Sequence, residues 1–155
     1  MELTREALEA AIREHVDAEA TRDLETLRST LDDDVAYEIK TVGNPNLGEV
    51  YGTFMGADTY IAMWERLYTI FASYEIEIED VLGLPELQAG LVRIQATATP
   101  FEEWRGLPAG EPVRWWAAAL CFFDEGGRMT RETVYGSFPP IMDGYDKLLE
   151  QSQSA

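Results

Sequence analysis

The chain has 155 residues, 46% of them hydrophobic, and carries a formal net charge of −17 at pH 7. This length is typical of one domain with a substantial core, so we expect a single domain over residues 1–150 and a frayed tail over residues 151–155. With 12 basic residues against 29 acidic ones, the charge argues against a nucleic-acid partner and against binding to an anionic membrane surface.

No segment of the sequence is typical of a membrane or secreted protein. There is no run of about 18 apolar residues, which a membrane-spanning helix needs. The first residues lack the basic and then apolar pattern of a secretory signal, and the single cysteine, Cys121, cannot form a disulfide within the chain. These features predict a cytoplasmic protein.

Three helices are predicted in the first half of the chain. Apolar side chains recur at spacings of three and four over residues 3–20, which is the pattern of an amphipathic helix. Asp23 is a favourable N-cap for a second helix, which ends at the three aspartates 32–34. The third helix is expected to begin near Gly56 and to end at about Ala72, with one apolar stripe.

The strands are predicted from a change of period. Residues 35–40 are expected to form a strand, and residues 41–53 a loop because of their glycine, asparagine and proline content. Residues 74–79 alternate strictly between apolar and charged side chains, as in a half-buried strand. Residues 91–99 are predicted as the next strand.

The last third of the chain contains two apolar runs, residues 113–123 and 129–135, on either side of an acidic, glycine-rich turn at residues 124–128. This arrangement predicts a long antiparallel hairpin. The first run is apolar at both odd and even positions, so both of its faces must be covered.

These elements predict an α+β domain that forms a cone-shaped barrel, in which three N-terminal helices pack on a strongly curved, mainly antiparallel sheet. Helices over the concave side of such a sheet leave a conical cavity. The opposite side carries Trp116, Leu120 and Phe122, a row that exceeds what a soluble monomer usually exposes. We therefore expect a homodimer that packs through the convex face of the sheet.

Four segments in order carry a family resemblance. The first is RDLE followed by LDDDVAYE in residues 22–38, and the second is GADTYIAMWERLYTIFAS in residues 56–73. The third is GLPAGEPV in residues 106–113, and the fourth is FDEGGRM followed by VY in residues 123–135. Over about residues 8–137 the chain resembles the SnoaL-like polyketide cyclases of the nuclear transport factor 2-like superfamily. The resemblance implies the conical α+β fold. It leaves the activity open, because the superfamily includes ketosteroid isomerases, dehydratases, epoxide hydrolases, cyclases and non-catalytic binding domains.

The resemblance also concerns single residues. His15 falls where ketosteroid isomerases carry an oxyanion-stabilising tyrosine, whereas their general base falls on Ile39 and their second oxyanion donor on Ala119. The cyclases use an aspartate late in the last strand, and residues 135–137 contain none. Because neither isoleucine nor alanine exchanges a proton, the isomerase mechanism with those groups does not carry over to this chain. The cyclase mechanism lacks its aspartate here.

Three polar side chains remain as candidate catalytic residues. His15, the only histidine, lies on the apolar stripe of the first helix and is expected to face the cavity. It could transfer a proton or donate to an oxyanion near neutral pH, or it could be a core histidine bonded to Glu19 one helical turn later. Tyr37 shares the inward parity of Ile39 and could donate to a developing oxyanion, or it could pack in the core. Glu132 has the strand parity that faces the cavity in the resembled fold. It could be a buried base with a raised pKa or the partner that orients His15, or an exposed or ion-paired glutamate.

Aromatic and small side chains are predicted to line the cavity and to bind a flat, mostly apolar ligand such as a polyketide, terpenoid or steroid-like ring. Plain core packing is the alternative for each of them. The sequence has no glycine-rich phosphate loop and no dinucleotide fingerprint, so no cofactor is expected. The predicted lining residues are Tyr60, Met63, Trp64, Leu67, Trp104, Trp115, Ala117, Ala119, Phe123 and Val134.

Two other features are less suited to chemistry. The three aspartates at 32–34 cannot all face one ion from regular structure, and the resemblance makes them caps of the helix-to-strand turn, so no metal site is expected. Cys121 could pair with His15 as a nucleophile, but its small neighbours favour a packed thiol.

The sequence therefore predicts a cofactor-independent enzyme that uses acid/base chemistry on a small hydrophobic metabolite, in a cyclisation, isomerisation or dehydration next to a carbonyl. A non-catalytic ligand-binding or assembly domain is the main alternative. An epoxide hydrolase is a further one, and it would need two carboxylates around a water, here Glu132 with Glu102 or Glu19.

Overall fold

The computed structural model describes residues 1–41, 51–104 and 107–136. Most of the predicted loop, the turn glycine at position 106 and the predicted tail at 151–155 lie outside the described residues. The elements are, in chain order, the helices α1 (Arg5–Thr21) and α2 (Leu24–Ser29), the strands β1 (Leu31–Thr41) and β2 (Tyr51–Met55), the helix α3 (Ala57–Ile70), the strand β3 (Phe71–Leu84), a 3-10 turn (Pro85–Leu87), and the strands β4 (Ala89–Pro100), β5 (Val113–Phe123) and β6 (Met129–Gly136).

The first two helices begin and end at local capping interactions. The Thr4 hydroxyl accepts the backbone N–H of Ala7 and caps α1, and Asp23 caps α2 as predicted by accepting the N–H of Thr26 at 3.0 Å. Helix α1 ends at Arg22, whose φ of 60° is in the left-handed region. These caps fix the corner between the two helices.

The side chain of Arg22 ties this corner to the rest of the domain. Its guanidinium donates to the backbone carbonyl oxygens of Tyr68, Phe71 and Ala72, at 3.4, 2.9 and 3.1 Å. It also lies 5.0 Å from the centroid of the Tyr68 ring. The end of α1 is therefore held against the junction of α3 and β3.

The boundary between α2 and β1 differs from the prediction. The helix ends at Ser29 and the strand begins at Leu31, so the three aspartates at 32–34 lie inside β1, where its register with β6 shifts. Their carboxylates face different partners: Asp33 pairs with Arg28 at 2.7 Å, and Asp32 lies 3.5 Å from a guanidinium nitrogen of Arg128. This divergence leaves no common point for a metal ion.

One six-stranded sheet, in the order β2-β1-β6-β5-β4-β3, forms the frame of the domain. All neighbouring strands are antiparallel except β1 and β6, which are parallel. This confirms the predicted α+β fold with a curved, mainly antiparallel sheet. The barrel is not closed, because β2 and β3 are edge strands among the described residues.

Strand β2, Tyr51–Met55, overlaps the end of the loop predicted over residues 41–53, so that prediction is wrong for residues 51–53. It pairs with β1 in antiparallel register, and Phe54 stands opposite Tyr37. Phe54 is buried, and its ring stacks on that of Tyr37 with centroids 6.1 Å apart. Burial of this aromatic pair outweighs the turn-forming residues that precede it in the sequence.

The hairpin of β5 and β6 matches its prediction within one residue. The carboxylate of Asp124 accepts the backbone N–H groups of Gly126 and Arg128, both at 2.9 Å, and Gly127 has a φ of 80°. The turn thus combines a side-chain cap with a left-handed glycine.

The two faces of β5 have different environments. The inner face, from Trp115 to Phe123 at alternate positions, is buried in the core. On the outer face Trp116 is 52% exposed, whereas Leu120 and Phe122 are half-buried. The homodimer through this outer face stays a prediction. In the described part of the chain, no helix has the length and apolar character needed to cross a membrane.

Helix α1 touches strand β3 at Gly83. A Cβ at this position would lie 2.6 Å from the backbone oxygen of Arg5 and 3.1 Å from its Cα, so both contacts are with backbone. The backbone N–H of Gly83 also donates to the carboxylate of Glu9 at 3.0 Å. Any side chain at position 83 therefore pushes the first turn of α1 away from the sheet.

We predict that Gly83→Ala lowers the free energy of unfolding by about 1–3 kcal/mol, the usual range for overpacking. Urea denaturation of the variant and the parent protein measures the difference. Gly126→Ala in the exposed β5–β6 turn is the matched control, because its Cβ would meet only the side chain of Asp124. Equal unfolding midpoints for Gly83→Ala and the parent would contradict the close approach.

Candidate active site

Four buried side chains from three elements meet at one point between the helices and the sheet. His15 and Glu19 lie one turn apart on α1, Tyr60 lies on α3, and Glu132 lies on β6. The phenol oxygen of Tyr60 lies 2.6 Å from Glu19 Oε1, 2.8 Å from Glu132 Oε2 and 2.9 Å from His15 Nε2. We call these four residues the Tyr60 cluster.

The hydrogen bonds of Thr30 determine which nitrogen of His15 carries a proton. The Thr30 hydroxyl donates to the backbone oxygen of Leu27 at 2.7 Å, so its single proton is used there. It therefore accepts from His15 Nδ1, which lies 2.7 Å away. Nδ1 carries a proton, and Nε2, the nitrogen next to Tyr60 and Glu19, is the one that gains or loses one.

Burial and neighbouring charges oppose each other at His15. Burial on its own lowers the pKa of the imidazole, but the charge and hydrogen bond of Glu19 and the charge of Glu132 outweigh it, so the pKa is raised. His15 Nε2 lies 3.2 Å from Glu19 Oε1 and 4.0 Å from Glu132 Oε2. A raised pKa favours the imidazolium, which pairs with the Glu19 carboxylate.

Glu132 is the carboxyl in the cluster that titrates near neutral pH. Burial and then the charge of Glu19 raise its pKa, whereas the charge of His15 and the hydrogen bond from Tyr60 lower it, and the result is a pKa of about 7. Burial and the two carboxylates raise the pKa of the Tyr60 phenol well above its ordinary value. Tyr60 therefore keeps its proton while Glu132 exchanges one.

The phenol of Tyr60 has one proton and two carboxylate neighbours. When it donates to Glu19, the short contact with Glu132 is favourable only if Glu132 is protonated and donates to the phenol oxygen. When Glu132 is ionised, the phenol can donate to it instead, and Glu19 keeps its bond to His15. Loss or gain of a proton at Glu132 is thus coupled to a turn of the Tyr60 hydroxyl.

A cavity lies against one side of the Tyr60 cluster. Its volume is about 50 Å³, and the whole concavity measures about 650 Å³ when the open solvent at its mouth is included. Glu19, Tyr60 and Glu132 are in its wall, and the other lining residues are mostly apolar. They are Val16, Tyr37, Trp64, Leu67, Phe71, Tyr74, Ile76, Val92, Ile94, Trp115, Ala117, Ala119 and Val134.

The structure brings two of the three predicted catalytic residues into the cavity wall and places the third behind it. Tyr37 and Glu132 stand opposite each other on β1 and β6 and line the cavity. His15 is 2% exposed and is not among the lining residues, because Tyr60 and Glu19 lie between it and the cavity. The prediction that His15 faces the cavity needs this correction.

Seven predicted wall residues line the cavity, namely Tyr60, Trp64, Leu67, Trp115, Ala117, Ala119 and Val134. Met63 packs in the core instead, because it lies about 60° around α3 from Tyr60. Phe123 pairs with Met129 beyond the row of Glu132. Trp104 packs edge-on against Phe71 and lines a separate surface concavity.

Sequence reasoning missed the central role of Tyr60. The pairing of His15 with Glu19 has a local signal, the spacing of four on a helix, but Tyr60 meets partners 41 and 72 positions away in the sequence. No periodicity reports such contacts. Glu102, the other proposed partner of Glu132, is exposed and lines the surface concavity, so the two are not brought together.

Two further chemistries are disfavoured by the arrangement. Cys121 is buried, and burial followed by the charges of Glu132 and Glu19 raises the pKa of its thiol well above the ordinary value, so it stays protonated. The donor atoms of His15, Glu19 and Glu132 lie within 4.8 Å of one another, as in a metal site. The phenol oxygen of Tyr60 occupies the space among them, and this cluster is arranged to share protons.

Comparison with known proteins adds to this geometry. A family model described as a SnoaL-like domain matches residues 12–132. No curated protein matches the chain.

Several solved structures have a similar fold. An LEH-like epoxide hydrolase of M. tuberculosis is 17% identical with a TM-score of 0.65, over 97% of this chain and 95% of that one. IdmH of Streptomyces antibioticus, described as "a putative polyketide cyclase", is 17% identical with a TM-score of 0.69, over 94% and 97%. A "putative ketosteroid isomerase" of Kribbella flavida is 17% identical with a TM-score of 0.63, over 87% and 81%. Identities this low show the fold alone.

The raised pKa of Glu132 predicts how stability changes with pH. Its carboxyl has a pKa of about 7 in the folded state against an ordinary value of 4.5, so between these values the folded chain binds more protons than the unfolded one. Stability therefore falls as pH rises through this window. The raised pKa of His15 adds a loss in the same direction above its ordinary value.

We expect Glu132→Gln to reduce the fall in unfolding free energy between about pH 5 and about pH 8 by as much as about 3 kcal/mol. Urea denaturation at a series of pH values measures this slope. Glu86→Gln, at an exposed position in the 3-10 turn, should leave the slope unchanged. A Glu132→Gln variant with the parent's slope would show that Glu132 titrates normally.

Proposed function

This chain belongs to the SnoaL-like domain family, and we propose that it is a cofactor-independent enzyme that moves a proton on a small, mainly apolar molecule. Glu132 is the group that takes and returns the proton. One observation carries the proposal: the Glu132 carboxyl, with a pKa of about 7, is in the wall of an apolar cavity. A general base is most effective when its pKa lies near the operating pH.

The other members of the Tyr60 cluster support Glu132. The His15 charge and the Tyr60 hydrogen bond both favour its ionised form, so they offset the cost of holding a carboxylate out of water. His15 does not reach the cavity and acts as a positioning residue through Tyr60 and Glu19. Tyr37, whose ring lies edge-on to Tyr60 with centroids 5.1 Å apart, is proposed as a hydrogen-bond donor to charge that develops on the substrate.

The cavity wall supports an apolar substrate of which only a part enters the cavity. The cavity volume of about 50 Å³ is well below the roughly 300 Å³ of a pocket that surrounds a whole drug-sized ligand. The remainder of the molecule would occupy the open mouth. Cyclisation, isomerisation and dehydration next to a carbonyl all begin with removal of a proton from carbon, and the neighbours named for cyclase and isomerase activity make these the favoured reactions.

Epoxide hydrolysis is the second candidate. It is favoured by two carboxylates, Glu19 and Glu132, in the wall of one cavity and by the fold shared with an LEH-like epoxide hydrolase. It ranks lower because the Tyr60 hydroxyl, and not open space for a water, lies between the two carboxylates. A non-catalytic binding domain, with the homodimer through Trp116, Leu120 and Phe122, is the alternative if no turnover is found.

A test of Glu132 as a base uses 5-nitrobenzisoxazole, a small aromatic probe that opens to a coloured phenolate when a base removes its ring proton. We expect turnover to rise with pH and to level off above an apparent pKa of about 7, because the ionised carboxylate is the active form. Glu132→Gln should lose about 10²–10⁴-fold in rate, and Glu86→Gln should keep the parent's rate. Equal rates for Glu132→Gln and the parent would remove Glu132 from the mechanism.

The supporting roles of Tyr60 and His15 predict a shift of the same pH profile. The hydrogen bond from Tyr60 and the charge of His15 both lower the pKa of Glu132. Tyr60→Phe removes the first and His15→Gln removes the second. The pH profiles of both variants should therefore move to higher pH, and their rates should recover at high pH. Tyr68→Phe is the matched control, because the Tyr68 hydroxyl donates to the backbone oxygen of Glu19 and not to a side chain of the cluster. Carboxyl carbon NMR of Glu132 in each variant reports the same shift without any substrate. An unmoved carboxyl titration in both variants would refute these roles.

A further inference from the structure

Each carboxyl group of the Tyr60 cluster has one oxygen that the cluster does not use. Tyr60 contacts Oε1 of Glu19 and Oε2 of Glu132, which leaves Glu19 Oε2 and Glu132 Oε1. Within the described part of the chain these two oxygens have no hydrogen-bond partner, yet the one fully buried side-chain polar atom without a partner is Trp115 Nε1. Both carboxyl oxygens are therefore accessible to a water molecule.

The two accessible oxygens face the same cavity. The side chains of Glu19 and Glu132 are only 8% and 10% exposed, and both residues line this cavity. The small accessible part of each side chain is therefore its contact with the cavity. A carboxyl oxygen of one residue also lies within 4.8 Å of one of the other, so a single small molecule can touch both groups.

The hydroxyl of Tyr60 joins the two carboxyl groups on the side away from the substrate. It lies 2.6 Å from Glu19 and 2.8 Å from Glu132, and Tyr60 is 2% exposed. A hydroxyl that accepts one hydrogen bond and donates another can release its own proton as it receives the next one. A proton that Glu132 takes from the cavity can thus reach Glu19 without entering bulk water.

A second carboxyl group is useful only to a reaction that needs an acid as well as a base. A base alone removes a proton from carbon, but a hydroxyl group leaves carbon readily only when it receives a proton. In the described part of the chain, the cavity wall has no lysine or arginine that could stabilise a departing hydroxide instead. Glu19 is the wall residue that can hold the required proton.

We propose that Glu19 is a second catalytic residue, the acid that protonates a leaving hydroxyl group after Glu132 has removed a proton from carbon. This inference rests on the proposed function and narrows its reaction to dehydration. The substrate class is an apolar β-hydroxy carbonyl compound, in which the carbon that loses the proton lies between the carbonyl carbon and the carbon that bears the hydroxyl group.

The reaction balances within the site. Glu132 Oε1 takes the proton, and the electron pair of the broken C–H bond stays on the substrate as an enolate. A turn of the carboxyl group moves this proton to Oε2, which gives it to the Tyr60 oxygen while the phenol proton passes to Glu19. A similar turn of Glu19 presents the proton to the hydroxyl oxygen, which leaves as water with the C–O electron pair. The enolate pair forms the new C=C bond, and both carboxylates are restored.

The test compares 4-phenoxybutan-2-one with 4-(4-nitrophenoxy)butan-2-one, which lose the same proton and differ in the leaving group. Nitrophenoxide leaves without a proton, whereas the more basic phenoxide leaves faster when an acid protonates it. Glu132→Gln should lose about 10²–10⁴-fold in rate on both ketones, and Glu19→Gln should lose about 10²-fold on the phenoxy ketone alone. Glu14→Gln, at an exposed position of the same helix, is the matched control and should keep both rates.

The ratio of the two rates within one variant does not depend on how much of that variant is folded. Rates are compared where the pH profile of each variant is flat, so a change in the ionisation of Glu132 does not contribute. The rate on the phenoxy ketone relative to the nitrophenoxy ketone should also fall in Tyr60→Phe, whose ring cannot pass a proton. The parent's ratio in Glu19→Gln would overturn the role of Glu19, and the parent's ratio in Tyr60→Phe would overturn the transfer through the phenol.

The base and the acid can fail separately. If Glu132→Gln slows both 5-nitrobenzisoxazole and the nitrophenoxy ketone but Glu19→Gln leaves the ratio unchanged, the proposed function stands and the role of Glu19 falls. If the protein accelerates none of these probes, the proposed function falls and the role of Glu19 falls with it.

Discussion

A single phenol proton shared between two buried carboxylates is the constraint on which this site depends. Holding Glu19 and Glu132 out of water is expensive unless their charges are offset. The imidazolium of His15 can neutralise one carboxylate, and the Tyr60 phenol can donate to only one at a time. The remaining charge is relieved by a proton on Glu132. The pKa of Glu132 near neutrality therefore follows first from its own burial and then from the charge of Glu19 beside it.

The fold brings the cluster together through one row of residues across the sheet. Gly90, Cys121, Glu132 and Tyr37 stand side by side on β4, β5, β6 and β1. At Gly90 a Cβ would lie 2.4 Å from the Cδ1 of Ile12, so the missing side chain lets α1 settle onto this row. His15 lies one turn further along the same helix face, beside Glu132. The glycine at position 90 thus leaves room for the Ile12 side chain one turn before His15, while the backbone contact between Gly83 and Arg5 limits how far α1 can move from the sheet.

Features that depend on neighbouring residues could be predicted well from the sequence. Contacts between residues far apart in the sequence could not. The β5–β6 hairpin, the Asp23 cap and the inward facing of Glu132 follow from turn chemistry and strand parity, which are properties of neighbouring residues. The pairing of His15 with Glu19 likewise follows from helical spacing. Strand β2 and the role of Tyr60 depend on contacts with α1, β1 and β6, and no pattern within their own segments encodes these contacts. The small volume of the cavity could not be predicted from the sequence either, because it depends on how Trp64, Tyr74 and Trp115 pack against one another.

The charge balance of the cavity favours proton transfer over reactions that create new charge. The resemblance to ketosteroid isomerases places their acidic groups at Ile39 and Ala119, and both of these apolar side chains are buried, Ala119 in the cavity wall. New negative charge on a substrate would therefore meet little stabilisation from that part of the wall. When Glu132 removes a proton from carbon, however, the carboxylate loses its charge as the substrate gains one, and the net charge of the site stays constant. The His15 imidazolium lies behind Tyr60, 4.0 Å from Glu132. Its positive charge can therefore stabilise the negative charge whether it is on Glu132 or on the substrate. Hydrolysis conserves charge in the same way when Glu132 takes the proton of an attacking water. Proton abstraction from carbon is favoured over it because the Tyr60 hydroxyl, and not space for a water, lies between the two carboxylates.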